Sequence, residues 1–438
     1  MGHAAAVSVL ALTIGLSLAR PAIGPFRIQP AGAAILGALL TMATGLLPLA
    51  AVLASLTFLA LPVLTIVSLM IITLIAEQAG FFRFLAWRMA RAAGGDGVKL
   101  FTYLFLAGTL TGTLFTNDAA VLIFTPMVYK LIEEVKEESW TTANKIPYYF
   151  AVLYVANLVG AFVISNPINI VVASWFGIGF MEYALWMVIP AVVSMIVTYF
   201  GLRLFFRHTI PATYRVPEHH ESMVDNPSFM FTSGAVLSAT LVGFFTEHLT
   251  GIPTGYVAAI GATALAVAYR IFARGSLLAV VRGVGWDAII FVIGIFLVAN
   301  GLRTAGLTDA IGTLILRAAD EGQYIGTLVT GVIAAGSSAV MNNHPTAGIM
   351  ALAIGDLSLM DLPARMLAFS ALIGGDLGPK MLPIGSLAAL MWFRILRSKG
   401  VEISYWQYIK LGVPITLAAM LLSLLALNLE FALFQAFR

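Results

Sequence analysis

Apolar windows of about 20 residues, the length that crosses a bilayer, recur along this chain at 4–18, 31–47, 56–79, 147–174, 183–205, 228–249, 253–271, 287–301, 365–396 and 406–434. Two further apolar segments, 98–131 and 324–354, are interrupted at their centres by the polar runs FTNDAAVLIFTP (115–126) and VMNNHPTAGIMA (340–351). Each is followed by a span broken around proline, ISNPIN (164–169) in the first half and GPKMLPIGS (378–386) in the second. Hydrocarbon offers the backbone no hydrogen-bond partner. Polar residues and helix breakers are therefore tolerated at membrane depth only where protein or a water-filled cavity surrounds them. Paired interruptions in matching places of two halves are the sequence pointer to the binding site of a secondary transporter.

The composition agrees with this. The chain is 60% hydrophobic and 10% charged, with a mean hydropathy of +0.96, whereas a soluble domain carries about 25% charged residues. It reads as an all-α polytopic membrane protein. The N-terminal run (MGHAAAVSVLALTIGLSLAR) has the apolar length of a signal peptide but no Lys or Arg ahead of it, so it reads as the first span. Cysteine is absent from the sequence, which excludes disulfides, thiolate metal sites and thiol catalysis. No cofactor is called for, and nothing points to nucleic acid as a partner.

Reading 98–131 and 324–354 as re-entrant hairpins leaves ten spans. With the N-terminus outside, only Arg303, Arg317, Arg365 and Arg438 of the 24 Lys and Arg then fall outside, and Lys380 stays within a span. The positive-inside rule favours this threading and places both termini outside. Five spans and a hairpin, repeated once, make the repeats inverted. The first covers 1–207 with hairpin 98–131 and broken span 147–174. A polar linker follows at 208–227, and the second repeat covers 228–438 with hairpin 324–354 and broken span 365–396. Between each third span and its hairpin lies an amphipathic stretch, FFRFLAWRMARAAGG and LTDAIGTLILRAAD, expected to lie in the interface plane.

Thr116, Asn117 and Asp118 fall at the first hairpin turn, and Asn342, Asn343 and His344 at the second. Such residues cap the following half-helix, and its free N–H groups favour an oxyanion or hydroxyl ligand; capping and binding can hold together. His344 reads equally as a titrating group or as a turn residue beside proline. In the broken spans, Ser165, Asn166 and Asn169 surround Pro167. In the second, Asp376, Lys380, Gly385 and Ser386 sit among Gly374, Gly375, Gly378, Pro379 and Pro383. Such a run cannot stay an unbroken helix in lipid. Asp118, Asp376 and Lys380 are the deepest ionisable residues; buried charges are expected to pair or be neutralised. Asp376 and Lys380, four apart, form either a structural pair that fixes the break or a proton-carrying site.

FTNDAAVLIFTP, NNHPTAGIMALAIG (342–355) and above all GGDLGPKMLPIGSLAALMWF (374–393) resemble the arsenical-pump membrane protein (arsenite permease) family of the ion-transporter superfamily. LIAEQAGFF (74–82) fits as well, and the resemblance runs over essentially the whole chain. It implies export of arsenite and antimonite across the bacterial cytoplasmic membrane, driven by the proton motive force or by ATP when a cytoplasmic arsenite-stimulated ATPase docks. It also implies a transport subdomain that moves against a scaffold. His344 departs from the apolar residue expected after the Asn pair.

Without thiols, the neutral arsenic trihydroxide has to be bound by hydrogen bonds from Asn, Ser, Thr and backbone groups. The coupling proton then falls to separate groups, Asp118, or Asp376 with Lys380. The expected binding place lies between Thr116–Asn117–Asp118 with Asn166 and Asn169 on one side, and Asn342–Asn343 with Gly385–Ser386 on the other. The rivals are a sodium/proton antiporter, in which Asp118 and Asp376 ligate sodium, and a channel subunit energised by a partner ATPase. An intramembrane hydrolase has no supporting motif, since HExxH is absent and His219–His220 sit in the polar linker.

Overall fold

Wherever the sequence is apolar for a whole window, the chain is helical, because in lipid a helix satisfies each backbone group locally. The structure is a computed structural model describing residues 2–23, 26–216, 226–357, 359 and 361–437; the side chains of 23, 26, 117–120 and 387 lie outside the description. Among the described residues eight helices are long and apolar enough to cross a membrane. The remaining structure includes a short antiparallel ribbon, Ala22–Ile23 with Phe26–Arg27. Several buried hydroxyls within the spans are satisfied locally. Thr13, Thr41, Thr73 and Thr111 each donate to the carbonyl four residues back at 2.7–2.8 Å.

One order of elements occurs twice. In the first half, helices Gly2–Ala19, Pro30–Ala43 and Leu49–Gln78 lead to an amphipathic helix, Phe81–Ala92. A hairpin follows, Gly97–Leu114 and Asn117–Val135, then an interrupted span, Thr142–Val155 and Pro167–Trp175, and a last span, Phe180–Phe205. The second half repeats this with Pro227–Phe245, Thr254–Phe272 and Trp286–Thr304 before the amphipathic Leu307–Asp320. The second hairpin is Gln323–Met341 and Asn343–Gly355, the second interrupted span Asp361–Leu377 and Leu387–Ser398, and the last span Tyr405–Ala436. By length Gln323–Met341 could cross alone, but the chain turns at Asn342 and runs back along it.

The halves interlock rather than stand apart. Pro30–Ala43 packs on Trp286–Thr304, Leu49–Gln78 on Thr254–Phe272, and the two last spans on each other. The second arm of each hairpin leans on the far piece of the other half's interrupted span, Asn117–Val135 on Leu387–Ser398 and Asn343–Gly355 on Pro167–Trp175. Each amphipathic helix packs on its own hairpin and is entered through a left-handed glycine, Gly80 (φ 79°) or Gly306 (φ 76°), that turns the chain off the third span. The far ends carry positive-φ glycines too, Gly95 (φ 89°) and Gly322 (φ 141°).

Between lipid-solvated helices there is no hydrophobic drive, so small residues that let backbones approach supply the attraction. The second hairpin meets its interrupted span in this way. A Cβ on Gly374 would meet the Gly331 carbonyl carbon at 2.9 Å and Ala334 Cβ at 3.0 Å, and one on Gly378 would lie 2.9 Å from Ala335 Cα. Gly374→Val should therefore lower the thermal unfolding midpoint of the detergent-solubilised protein, by an amount corresponding to about 1–3 kcal/mol of overpacking. Valine at the unobstructed Gly336 should cost much less.

Candidate functional site

The interruption of each span leaves a short non-helical stretch at the centre of the molecule, and the two stretches face each other. In the first half the helix stops after Val155, and a single 3-10 turn, Val163–Ser165, precedes Pro167. In the second, Leu377 is followed by two 3-10 turns, Gly378–Lys380 and Pro383–Gly385, each with proline at its start. Proline removes a backbone donor and fixes φ, so neither stretch can close an α-helical ladder.

Asp376 is the focus. Its carboxylate is fully buried and accepts the Gly160 N–H at 3.0 Å, Asn166 Nδ2 at 2.7 Å and Asn169 Nδ2 at 3.3 Å. All three donors belong to the first interrupted span. Asn166 Oδ1 also caps the following helix by accepting the Ile168 N–H at 3.3 Å. A second link runs the same way, with Asn157 Nδ2 donating to Ser386 Oγ at 3.3 Å. That hydroxyl in turn accepts the Ala389 N–H at 3.2 Å.

Lys380 lies on the other side of the break from Asp376. It is buried, and its Nζ has no hydrogen-bond partner and no ion pair with Asp376 among the described residues. The Gly378–Lys380 turn replaces the helical turn that would have stacked residues 376 and 380. The ammonium instead stands 5.4 Å from the centre of the Tyr154 ring, a cation–π contact. Tyr408 Oη donates to the Pro379 carbonyl at 3.1 Å, occupying one backbone group freed by the break.

The hairpin tips flank this centre. Ser338 Oγ donates to the Gly375 carbonyl at 2.8 Å, and Gly385 lies against the Ser338 and Ala339 carbonyls. Asn342 takes a left-handed φ of 79°, and its Oδ1 accepts the His344 N–H at 3.2 Å and lies 3.0 Å from His344 Nδ1. The His344 ring is buried against Phe291 and faces Pro167 and Ile168, and Asn343 is buried beside it. At the first tip Thr116 is the N-cap but makes no capping bond, and its buried Oγ1 has no partner among the described residues. The side chains of Asn117 and Asp118 lie outside the described residues, as do His219 and His220. A cavity of about 110 Å³ beside Gly160 and Ser165 is also lined by Thr109 and Thr113 of the first hairpin.

The structure thus joins Asn166, Asn169 and Asp376 directly, and Ser386 through Asn157, while Asn342 and Asn343 belong to the other tip. Sequence reasoning missed Asn157, Gly160 and Tyr154. The first two lie in VANLVGAF at the start of the break, where a polar residue and a glycine in an apolar run were the available signal.

Paired hairpins and interrupted spans around a buried polar centre are the architecture of a polytopic membrane transporter. In fold the chain is similar to the Alcanivorax borkumensis YdaH transporter, with a TM-score of 0.59 and 16% identity over 99% of this chain and 98% of that one. It is also similar to MtrF of Neisseria gonorrhoeae (TM-score 0.51, 13% identity, 98% and 94% covered). A family model described as arsenical pump membrane protein matches residues 5–431, and the chain belongs to that family. It is 36% identical over 413 residues to an Escherichia coli arsenical pump membrane protein, covering 92% of this chain and 95% of that one. It is 25% identical to a putative arsenical pump membrane protein of Bacillus subtilis, with 83% and 86% covered.

Removing the Asp376 carboxylate leaves three buried donors facing nothing. Asp376→Ala should therefore drop the unfolding midpoint sharply, at about 1–3 kcal/mol per unpaired donor. Asp376→Asn, which keeps one acceptor oxygen, should lose less.

Proposed function

We propose that this chain exports arsenite and antimonite, as the neutral trihydroxide, from the cytoplasm in exchange for protons by alternating access of an elevator-like kind. The observation that carries the reading is the centre itself. Asp376 is held entirely by neutral donors from the opposite half, and Lys380 sits one 3-10 turn away with no hydrogen-bonding partner among the described residues. Neutral donors and acceptors suit a neutral hydroxylated cargo, and the charged pair is left free to handle the proton. Membership of the arsenical pump family supplies the cargo class, and the absence of cysteine argues for binding through hydrogen bonds.

In this reading cargo binds between Thr116–Asn117–Asp118 with Asn166 and Asn169 and the second tip, Asn342–Asn343, with Gly385–Ser386. Asp118, Asp376 and Lys380 carry the coupling. The repeats, 1–207 and 228–438 joined by 208–227, are inverted in the cytoplasmic membrane with both termini outside, and a cytoplasmic ATPase is a candidate partner on the basic side.

The test is arsenite uptake into everted membrane vesicles holding this chain alone, with an imposed proton gradient. Uptake should follow the gradient and fall at least about tenfold in Asp118→Asn or Asp376→Asn, the order of a lost proton-transfer group. Arsenite flux indifferent to the gradient would instead mark a channel awaiting an ATPase. Sodium-dependent pH change without arsenite flux would mark a sodium/proton antiporter.

Lys380→Met separates a transport role from a structural one. Among the described residues the buried Lys380 ammonium has no hydrogen-bond partner, so an apolar side chain there removes an uncompensated desolvation cost. The variant is expected to keep or raise its unfolding midpoint while losing gradient-driven uptake. A fall in stability with uptake retained would make Lys380 structural.

A further inference from the structure

Away from the polar centre, four arginines meet around one cavity. It has a volume of about 470 Å³ and is lined by Arg20, Arg27, Arg394 and Arg397, with Phe393 and Tyr405 beside them. Arg20 and Arg27 belong to the segment joining the first two spans, where the short ribbon pairs Arg27 with Ala22. Arg394 and Arg397, three apart, share a face of Leu387–Ser398, the far piece of the second interrupted span. The cavity therefore lies between elements of different halves.

No carboxylate lines it, and among the described residues none of the four guanidinium groups is ion-paired. Arg20 is the telling member. Its Nε is buried without a hydrogen-bond partner among the described residues, and its backbone is turned to φ 45° at the end of the first helix. Burial, then Arg394 and to a lesser degree Arg27, outweigh the opposing pull of Asp287 and hold its guanidinium below the ordinary arginine value. Asp287 Oδ1 is itself engaged by the Ala31 N–H at 3.3 Å. Like charges gathered on a void repel, and an anion in that void offsets the repulsion by attracting each of them.

The lining gives the anion's chemistry. Guanidinium forks match the oxygens of phosphate bidentately and shed water more readily than ammonium groups. The depth gives its setting. Tyr405 and Trp406 are 52% and 65% exposed at the start of the last span, the aromatic pair expected at headgroup level. Basic pockets between spans at that level attract acidic lipid headgroups. We propose that this cavity is a binding site for a phosphate-bearing anion, presented as the headgroup of an anionic phospholipid or as a soluble phosphate. The bound anion bridges the first joining segment to the second interrupted span. This inference stands on the cavity alone and does not depend on the cargo or its coupling.

Thermal unfolding of the full-length protein in a neutral detergent tests it, with phosphatidylglycerol, phosphatidylcholine or inorganic phosphate added. Phosphatidylglycerol should raise the midpoint and phosphatidylcholine should not. The double variant R20Q/R394Q should bind phosphatidylglycerol at least about tenfold more weakly, while Arg282→Gln, exposed outside the cavity, keeps the full shift. An equal shift with inorganic phosphate alone, lost in the double variant, places the source in solution rather than in the lipid. The proposal is overturned if neither phosphate source shifts the midpoint, if the double variant shifts like the wild type, or if Arg282→Gln loses as much. Should the double variant not fold, Arg397→Gln on the exposed rim is expected to show a smaller loss in the same titration, and no loss there overturns the proposal equally.

Discussion

A carboxylate at the junction of two interrupted helices has to find its donors inside the protein, because the surrounding lipid offers none. Asp376 finds all three in the other half, at Gly160, Asn166 and Asn169. The need is mutual, since the break after Val155 frees the Gly160 N–H and the asparagines beside Pro167 must also be satisfied. One buried anion thus fixes the register in which the two interrupted spans cross. The Asn157–Ser386 link repeats the same logic with neutral partners. The hairpins bind to both sides of this crossing, each packing on its own interrupted span and on the far piece of the opposite one.

Much of this arrangement is legible in the sequence. A helix in lipid must be apolar for its whole length, so composition and window length fix the spans, and proline with glycine in an apolar window fixes the breaks. The amphipathic helices are equally plain, since FFRFLAWRMARA and LTDAIGTLILRAAD alternate charge and bulk at helical spacing. Partners across the halves are not legible, because they depend on three-dimensional crossing. A lone Asn157 in VANLVGAF reads as a minor defect until Ser386 is brought against it. The four-residue spacing of Asp376 and Lys380 suggests a pair on a helix, but the Gly378–Lys380 turn sends the ammonium to the Tyr154 ring instead. Glycine and proline were the signal that this spacing would not behave helically.

The polar centre and the arginine cavity divide the ionic work of the chain. At the centre a single carboxylate is held by three neutral donors, with the buried Lys380 ammonium just beyond the break. At the cavity, four guanidinium groups gather with no carboxylate in the lining, so the field reaches outward. Leu387–Ser398 belongs to both, since Ser386 caps its start and Arg394 and Arg397 lie on its final turns. Whatever settles among the arginines therefore acts on the same short helix whose cap is tied to the first half.

The glycines at the ends of the amphipathic helices bear on how such a molecule can move. Phe81–Ala92 lies between Gly80 and Gly95, and Leu307–Asp320 between Gly306 and Gly322, all at positive φ. Each helix is a stiff rod with a pivot at either end, one pivot joining a continuous span and the other a hairpin. A rod of this kind converts a change in the hairpin's depth into a change of its own tilt. In the elevator-like reading proposed above, pivots at these glycines let a hairpin change depth against its span without unwinding a turn of either.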